Sequence, residues 1–108
     1  MSSEHASYEV IDNKATERYE VHAEGHTAIL IYKRRGNRIT LVHTEVPPPL
    51  EGRGIAGMLA RTALEDARAD GLEVVPLCPY VVQYIRRHQE YLPLVIESQR
   101  ARVLQGGA

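Results

Sequence analysis

Apolar and polar positions alternate in short runs along the first half of the chain, with turn-forming pairs between the runs. Residues 8–11 (Tyr-Glu-Val-Ile) form a brief strand-like stretch closed by Asp12-Asn13, a good turn pair. Residues 18–23 alternate and stop before Gly25. Residues 27–32 (Thr-Ala-Ile-Leu-Ile-Tyr) are β-rich and nearly continuous in apolar character, as a central strand should be. Arg35-Gly36-Asn37 signals a tight turn, and residues 38–46 follow as the longest expected strand. Turns this short imply an antiparallel meander. Pro47-Pro48-Pro49 then stops ladder pairing, because proline has no N–H to donate.

From residue 53 to residue 70 the period becomes helical. Ile55, Leu59, Ala63 and Ala67, flanked by Met58, Thr62 and Asp66, place a mainly apolar stripe on one face. Gly71 suits the residue just past a helix end. Residues 73–77 read as a short strand, and strand–helix–strand at this spacing predicts a right-handed parallel crossover. Cys78 ends that strand, and Pro79 suits the first turn of a second helix over residues 80–88. The remainder, ending in Gln105-Gly-Gly-Ala108, carries a weak pattern and is expected to pack or fray. The whole predicts one α+β domain over residues 1–108. Its sheet is mixed and mainly antiparallel, with a strand–helix–strand crossover and a short final helix.

Composition narrows the function classes. A chain of 108 residues supports one modest core. A formal net charge of −1 gives no electrostatic case for nucleic acid or an acidic membrane as partner. The single cysteine, Cys78, excludes an internal disulfide and fits a reducing compartment. The polar N-terminus does not read as a secretory signal, and no apolar run approaches the ~20 residues of a membrane span. A cytoplasmic protein, monomeric or weakly dimeric, is expected. His5, His22 and His26 have no ligand spacing with the one cysteine, so no metal is expected. The basic run Lys33-Arg-Arg-Gly-Asn-Arg38 suits a phosphate patch by composition. It lies roughly 25 Å along the long strand from the glycine loop, so a solvated hairpin tip accounts for it better.

That glycine loop carries the chemistry. In Val46-Pro-Pro-Pro-Leu-Glu-Gly-Arg-Gly-Ile-Ala-Gly57, three glycines and an arginine sit where an extended strand gives way to a helix. Glycine lets the main chain approach a ligand, and a helix start offers unpaired N–H groups and the positive dipole end. A phosphate fits such a place. A purely structural turn fits the bare motif equally. It is no Walker loop, since no Gly-Lys-Ser/Thr follows, and no acidic residue stands where a dinucleotide fold needs one.

The run Glu51-Gly52-Arg53-Gly54-Ile55-Ala56 resembles the (Gln/Arg)-x-x-Gly-x-(Gly/Ala) signature of the GNAT superfamily of acetyl-coenzyme A-dependent N-acetyltransferases. The likeness extends to His43-Thr-Glu-Val46 and Pro76-Leu-Cys-Pro-Tyr80, and the short length is similar to the single-domain, YjdJ-type branch. Glu51 departs from the signature and is repulsive toward a pyrophosphate. The resemblance implies coenzyme A pyrophosphate over the amides of Gly52, Arg53, Gly54, Ile55, Ala56 and Gly57, with the Arg53 side chain assisting. It implies a pantetheine arm along the backbone of Glu45 and Val46. Arg86 and Arg87 lie near enough for the 3′-phosphate, Arg87 being the favoured contact.

Three residues are candidates for catalysis. Cys78 is a candidate acetyl-accepting nucleophile at a helix N-terminus, a setting that favours a thiolate, and a small buried apolar residue is its other reading. Glu45 is a candidate general base acting through water, with His43 on the same strand face, or a solvent-facing strand residue. Tyr84 shares a helix face with Tyr80 and His88. It is a candidate proton donor to the departing thiolate, as the resemblance implies, or core filling in a chain without Phe. The expected function is acetyl transfer from acetyl-coenzyme A to an amine acceptor, either a small amine or a protein lysine or N-terminus. The alternative is a coenzyme A-binding module with little or no transferase activity.

Overall fold

Two tight turns set the sheet. Ala23 lies opposite His26 and Arg35 opposite Arg38, so Glu24-Gly25 and Gly36-Asn37 are two-residue hairpin loops. Such loops need positive φ, which Glu24 (53°), Gly25 (78°) and Gly36 (60°) supply. In the computed structural model, which describes residues 8–105, these turns join β2 (Arg18–Ala23), β3 (His26–Arg35) and β4 (Arg38–Glu45). Antiparallel pairing links them, and β1 (Ile11–Asn13) pairs antiparallel with β2. Helix α1 (Ile55–Asp70) then leads to β5 (Glu73–Pro76), parallel to β4, so the sheet order is β1-β2-β3-β4-β5. This is the mixed, mainly antiparallel α+β sheet that the pattern predicts.

Helix α1 ends at Gly71, whose φ of 68° opens the left-handed exit that a side chain resists. Its Ile55, Leu59, Ala60, Ala63, Leu64 and Ala67 are buried. They pack on the sheet face that carries Tyr19, Val21, Ala28, Leu30, Tyr32, Ile39 and Leu41. Each buried leucine there stabilises the fold by about 1.5–3 kcal/mol. The flanking positions differ from expectation: Ala60 and Leu64 are buried, whereas Met58, Thr62 and Asp66 are only half-buried.

Three boundaries also differ. The first strand is residues 11–13, not 8–11, because its polar residues find partners across the sheet. Asp12 Oδ1 accepts the Tyr32 hydroxyl at 2.6 Å, and Asn13 Nδ2 donates to Glu20 at 3.1 Å. The longest strand is β3, with ten residues against eight in β4. Exposed residues 33–35 stay in its ladder opposite residues 38–40, since backbone pairing does not require apolar side chains. Helix α2 (Pro79–Arg87) is not the final helix: a 3₁₀ segment, Gln89–Leu94, and α3 (Glu97–Leu104) follow. Besides buried Tyr91, Val95 and Val103, the tail has polar anchors that periodicity does not reveal. The Ile96 N–H donates to the Val74 carbonyl at 3.0 Å and Arg102 Nη2 to the Pro76 carbonyl at 2.7 Å.

One irregularity positions the site. His43 pairs with Ile31 and Leu41 with Tyr32, leaving Val42 as an extra residue in β4. A bulge of this kind bends a strand and resets which face each side chain takes. Strand β5 follows β4 only as far as Leu41, whose carbonyl accepts the N–H groups of Leu77 (2.9 Å) and Cys78 (3.0 Å). Beyond Leu41 the two strands part. Residues 43–45 keep β3 on one side and, among the described residues, no strand on the other.

Candidate functional site

Fully buried Leu50, in the 3₁₀ turn Pro48–Leu50, anchors the loop that follows β4. Gly52 (φ 81°) and Gly54 (φ 77°) then take left-handed conformations that cost other residues energy. Gly54 is the N-cap of α1, and the first helical bond runs from the Met58 N–H to its carbonyl at 3.1 Å. No side chain caps this end. The N–H groups of Ile55, Ala56 and Gly57 therefore face outward with the positive end of the helix dipole behind them.

These groups line a groove of about 260 Å³ together with Val46, Leu50, Glu51, Gly52, Gly54 and Tyr80. Gly57 lets α2 come close: a Cβ there would lie 3.4 Å from the Tyr80 hydroxyl and 3.8 Å from Tyr84 Cε2. The groove thus offers backbone donors and small walls on one side and a phenol on the other. An anion such as a phosphate fits it without further machinery.

Of the residues expected to bind, Val46, Gly52, Gly54, Ile55, Ala56 and Gly57 meet on this groove. Arg53 points elsewhere. Its Nη2 donates to Glu24 Oε1 at 3.1 Å, and its Nη1 bonds both Glu24 Oε2 and the Tyr8 hydroxyl. That hydrogen bond holds the Glu24 carboxyl below its usual range and pushes the Arg53 guanidinium up. Glu51 sits exposed at the rim. Arg87 is exposed and close enough to Tyr80 to counter the rise in phenol pKa that burial causes. Arg86 turns to α3 instead and donates Nε to the Val103 carbonyl at 3.2 Å.

The catalytic candidates divide between two faces of β4. Thr44 pairs with fully buried Leu30 and so faces the helices, where its Oγ1 lies 3.2 Å from Cys78 Sγ. Cys78 is 3% exposed, and its carbonyl caps α2 by accepting the Val82 N–H at 3.0 Å. Glu45 pairs with Ile29 and takes the opposite face. There it is exposed, as a solvent-facing strand residue would be, and its Oε2 lies 3.1 Å from Nε2 of His43 on the same face. Tyr84 is half-buried and stacks on His88, ring centroids 4.2 Å apart, with Tyr80 at 6.4 Å. Burial raises both phenol pKa values, so both keep their protons at neutral pH.

Two residues outside the sequence expectations belong to this region, Thr44 and Glu24. Nothing in the pattern marks Thr44, since only the bulge turns it toward Cys78. Glu24 does carry a signal: it occupies a tight-turn position where asparagine or aspartate is usual.

The basic run is used in ion pairs. Arg34 meets Asp70 at 3.3 Å, Arg35 meets Glu17 at 3.1 Å and Arg38 meets Glu73 at 3.0 Å. A second, more enclosed cavity of about 190 Å³ includes Tyr19, Tyr32, Asp12, Asp66 and Arg34 among its walls. Its phenols already bond Asp66 (2.9 Å) and Asp12 (2.6 Å), so it reads as a polar seam of the core. No helix among the described residues is long and apolar enough to cross a membrane. No cluster of three or more metal-binding side chains occurs among them.

Comparison with known proteins points the same way as the groove. A family model described as GCN5-related N-acetyl-transferase matches residues 18–94. Protein NATD1 of Homo sapiens is 39% identical over 71 residues, covering 65% of this chain and 61% of that protein. Protein NATD1 of Danio rerio is 32% identical over 72 residues, covering 64% and 66%. The matched segment spans 63% of the Gallus gallus and Mus musculus proteins, so the chain covers less than two thirds of those relatives. In fold, the chain is similar to a GCN5-like protein from Staphylococcus aureus solved by NMR. The TM-score is 0.64 at 21% identity, over 82% of this chain and 87% of that one.

Proposed function

The chain belongs to the GCN5-related N-acetyl-transferase family, and from that membership we propose that it moves an acetyl group from acetyl-coenzyme A to an amine. One observation carries the proposal: the unpaired edge of β4 beyond its bulge leads directly to an uncapped helix start lined with glycine. An extended amide-bearing arm adds to such an edge as a strand would, and a pyrophosphate meets the N–H groups of Ile55, Ala56 and Gly57. The backbone carries that contact, because Glu51 has the wrong sign and Arg53 is engaged with Glu24. In this reading Arg87, exposed on α2, takes the 3′-phosphate.

The amine must lose a proton to attack the thioester. Glu45, paired with His43 on the open face, accepts it through water. Tyr84 or Tyr80, both held protonated, supplies a proton to the departing thiolate. The route through Cys78 is the second mechanism, in which Sγ attacks the acetyl carbon, coenzyme A leaves as thiol and the amine then displaces the cysteine. The 3% exposure of Cys78 and its contact with Thr44 favour the direct route. Acetylated Cys78 trapped by mass spectrometry would reverse that ranking, and a fully active Cys78→Ala variant would fix it.

The decisive measurement is thiol release from acetyl-coenzyme A with a panel of polyamines, small amines and peptides. Turnover with any of them is the expected result. Coenzyme A binding without turnover across the panel supports the binding-module reading instead. Gly54→Glu places a carboxylate where phosphate would sit and is expected to abolish calorimetric binding while the domain stays folded. Unchanged affinity would sink the assignment.

A further inference from the structure

The β2–β3 hairpin has an ill-suited residue at its tip. Glu24 opens a two-residue loop with φ 53°, a conformation that asparagine and glycine tolerate and glutamate resists. Its carboxylate is not idle there. It grips Arg53 with both oxygens across 29 residues of chain, and Arg53 also donates to the Tyr8 hydroxyl at 3.3 Å. Arg53 sits between two glycines with positive φ, Gly52 and Gly54. A loop of that make-up turns easily about its backbone, so the ion pair decides where the guanidinium points.

We infer that Glu24 is an internal competitor, a carboxylate that occupies Arg53 until phosphate takes its place. The inference rests on the coenzyme A reading and adds a regulated cation to it. Three properties carry it. A carboxylate presents two oxygens to the guanidinium fork in the geometry a phosphate uses, so the two ligands exclude one another. The pair is exposed, with side-chain exposures of 34% for Arg53 and 60% for Glu24, and exposed ion pairs are weak enough to yield. The phosphate groove begins at the residues on either side of Arg53, so a small backbone turn redirects the side chain. Displacement forms and breaks no covalent bond; it exchanges one charge-assisted contact for another.

The test is calorimetric titration of coenzyme A into the wild-type chain, Glu24→Asn, Glu24→Gln, Arg53→Gln and the Glu24→Asn/Arg53→Gln double variant. Glu24→Asn removes the carboxylate while giving the turn a residue it prefers, so the fold is not at risk. Both single Glu24 variants are expected to bind about 1.5- to 5-fold tighter, the range set by a weak exposed pair. Arg53→Gln is expected to bind more weakly, and the double variant should match it. Raising the salt concentration should shrink the gain. Equal or weaker binding by the Glu24 variants, with wild type binding normally, overturns the competitor and makes the pair a structural strap. No binding by any variant overturns the competitor and the coenzyme reading together.

Discussion

Two glycines separate strain from crowding. At Gly54 a Cβ meets nothing within 4 Å, yet φ is 77°, so Gly54→Ala is a test of backbone strain alone. It is expected to lower stability by about 1–2 kcal/mol, read from urea denaturation. Gly57 is the opposite case, with an ordinary φ and the Tyr80 hydroxyl 3.4 Å from the position of a Cβ. Gly57→Ala puts a methyl in ordinary contact with that hydroxyl, so it should leave the fold near wild type while narrowing the groove. Loss of coenzyme A affinity by tenfold or more in calorimetry is the expected outcome, and unaltered affinity would place the ligand elsewhere. Thr44 and Cys78 were not legible as a pair: the sequence presents both, but their contact depends on the extra residue at Val42.

At the scale of elements, helix α1 carries the core and α3 closes it. Leu59 is fully buried, and Leu59→Ala is expected to cost about 2–5 kcal/mol in the same denaturation assay. The helix was readable because its stripe repeats at the helical period over sixteen residues. Helix α3 was not readable, for it buries one residue, Val103, in eight. Its polar hold comes from Arg102 on the Pro76 carbonyl and from its own Val103 carbonyl, which accepts Arg86 Nε at 3.2 Å. Arg102→Gln should therefore cost about 1 kcal/mol and speed hydrogen exchange at the Ile96 amide. Unchanged exchange would mean that α3 is held by packing alone.

Across the whole molecule, stability is bounded on both sides of neutral pH. Glu20 is buried, which opposes its charged form, but bonds from Arg18, His22 and Asn13 outweigh that and lower its pKa. Glu17 and Glu24 are lowered too, by bonds from Arg34 and Arg53 respectively. Groups with depressed folded pKa values stabilise above the unfolded value of 4.5 and lose that contribution as pH falls below it. On the alkaline side, burial and a bond to Glu65 push Tyr91 up to about 12. Burial and bonds to Asp66 and Asp12 raise Tyr19 and Tyr32. A phenol with a raised folded pKa stabilises fully below about pH 10, and that contribution is lost as pH rises through the folded value. The urea midpoint is expected to fall between pH 10 and pH 12, and less steeply in Tyr91→Phe.

The sequence by itself determined the order of elements as far as α2, the mixed sheet, the buried stripe of α1 and the glycine-lined helix start. All of these depend on neighbours a few residues apart, on turn chemistry and on periodicity, and local interactions of that kind are written in order along the chain. Only the tertiary structure decided the faces and the partners. The bulge at Val42 turned Thr44 toward Cys78, while β5 parted from β4 to open an edge. The grip of Glu24 on Arg53 joined a hairpin tip to the glycine loop. Each of these follows from a one-residue register offset or a contact between distant segments. Such contacts are selected by packing, and no repeat along the chain announces them.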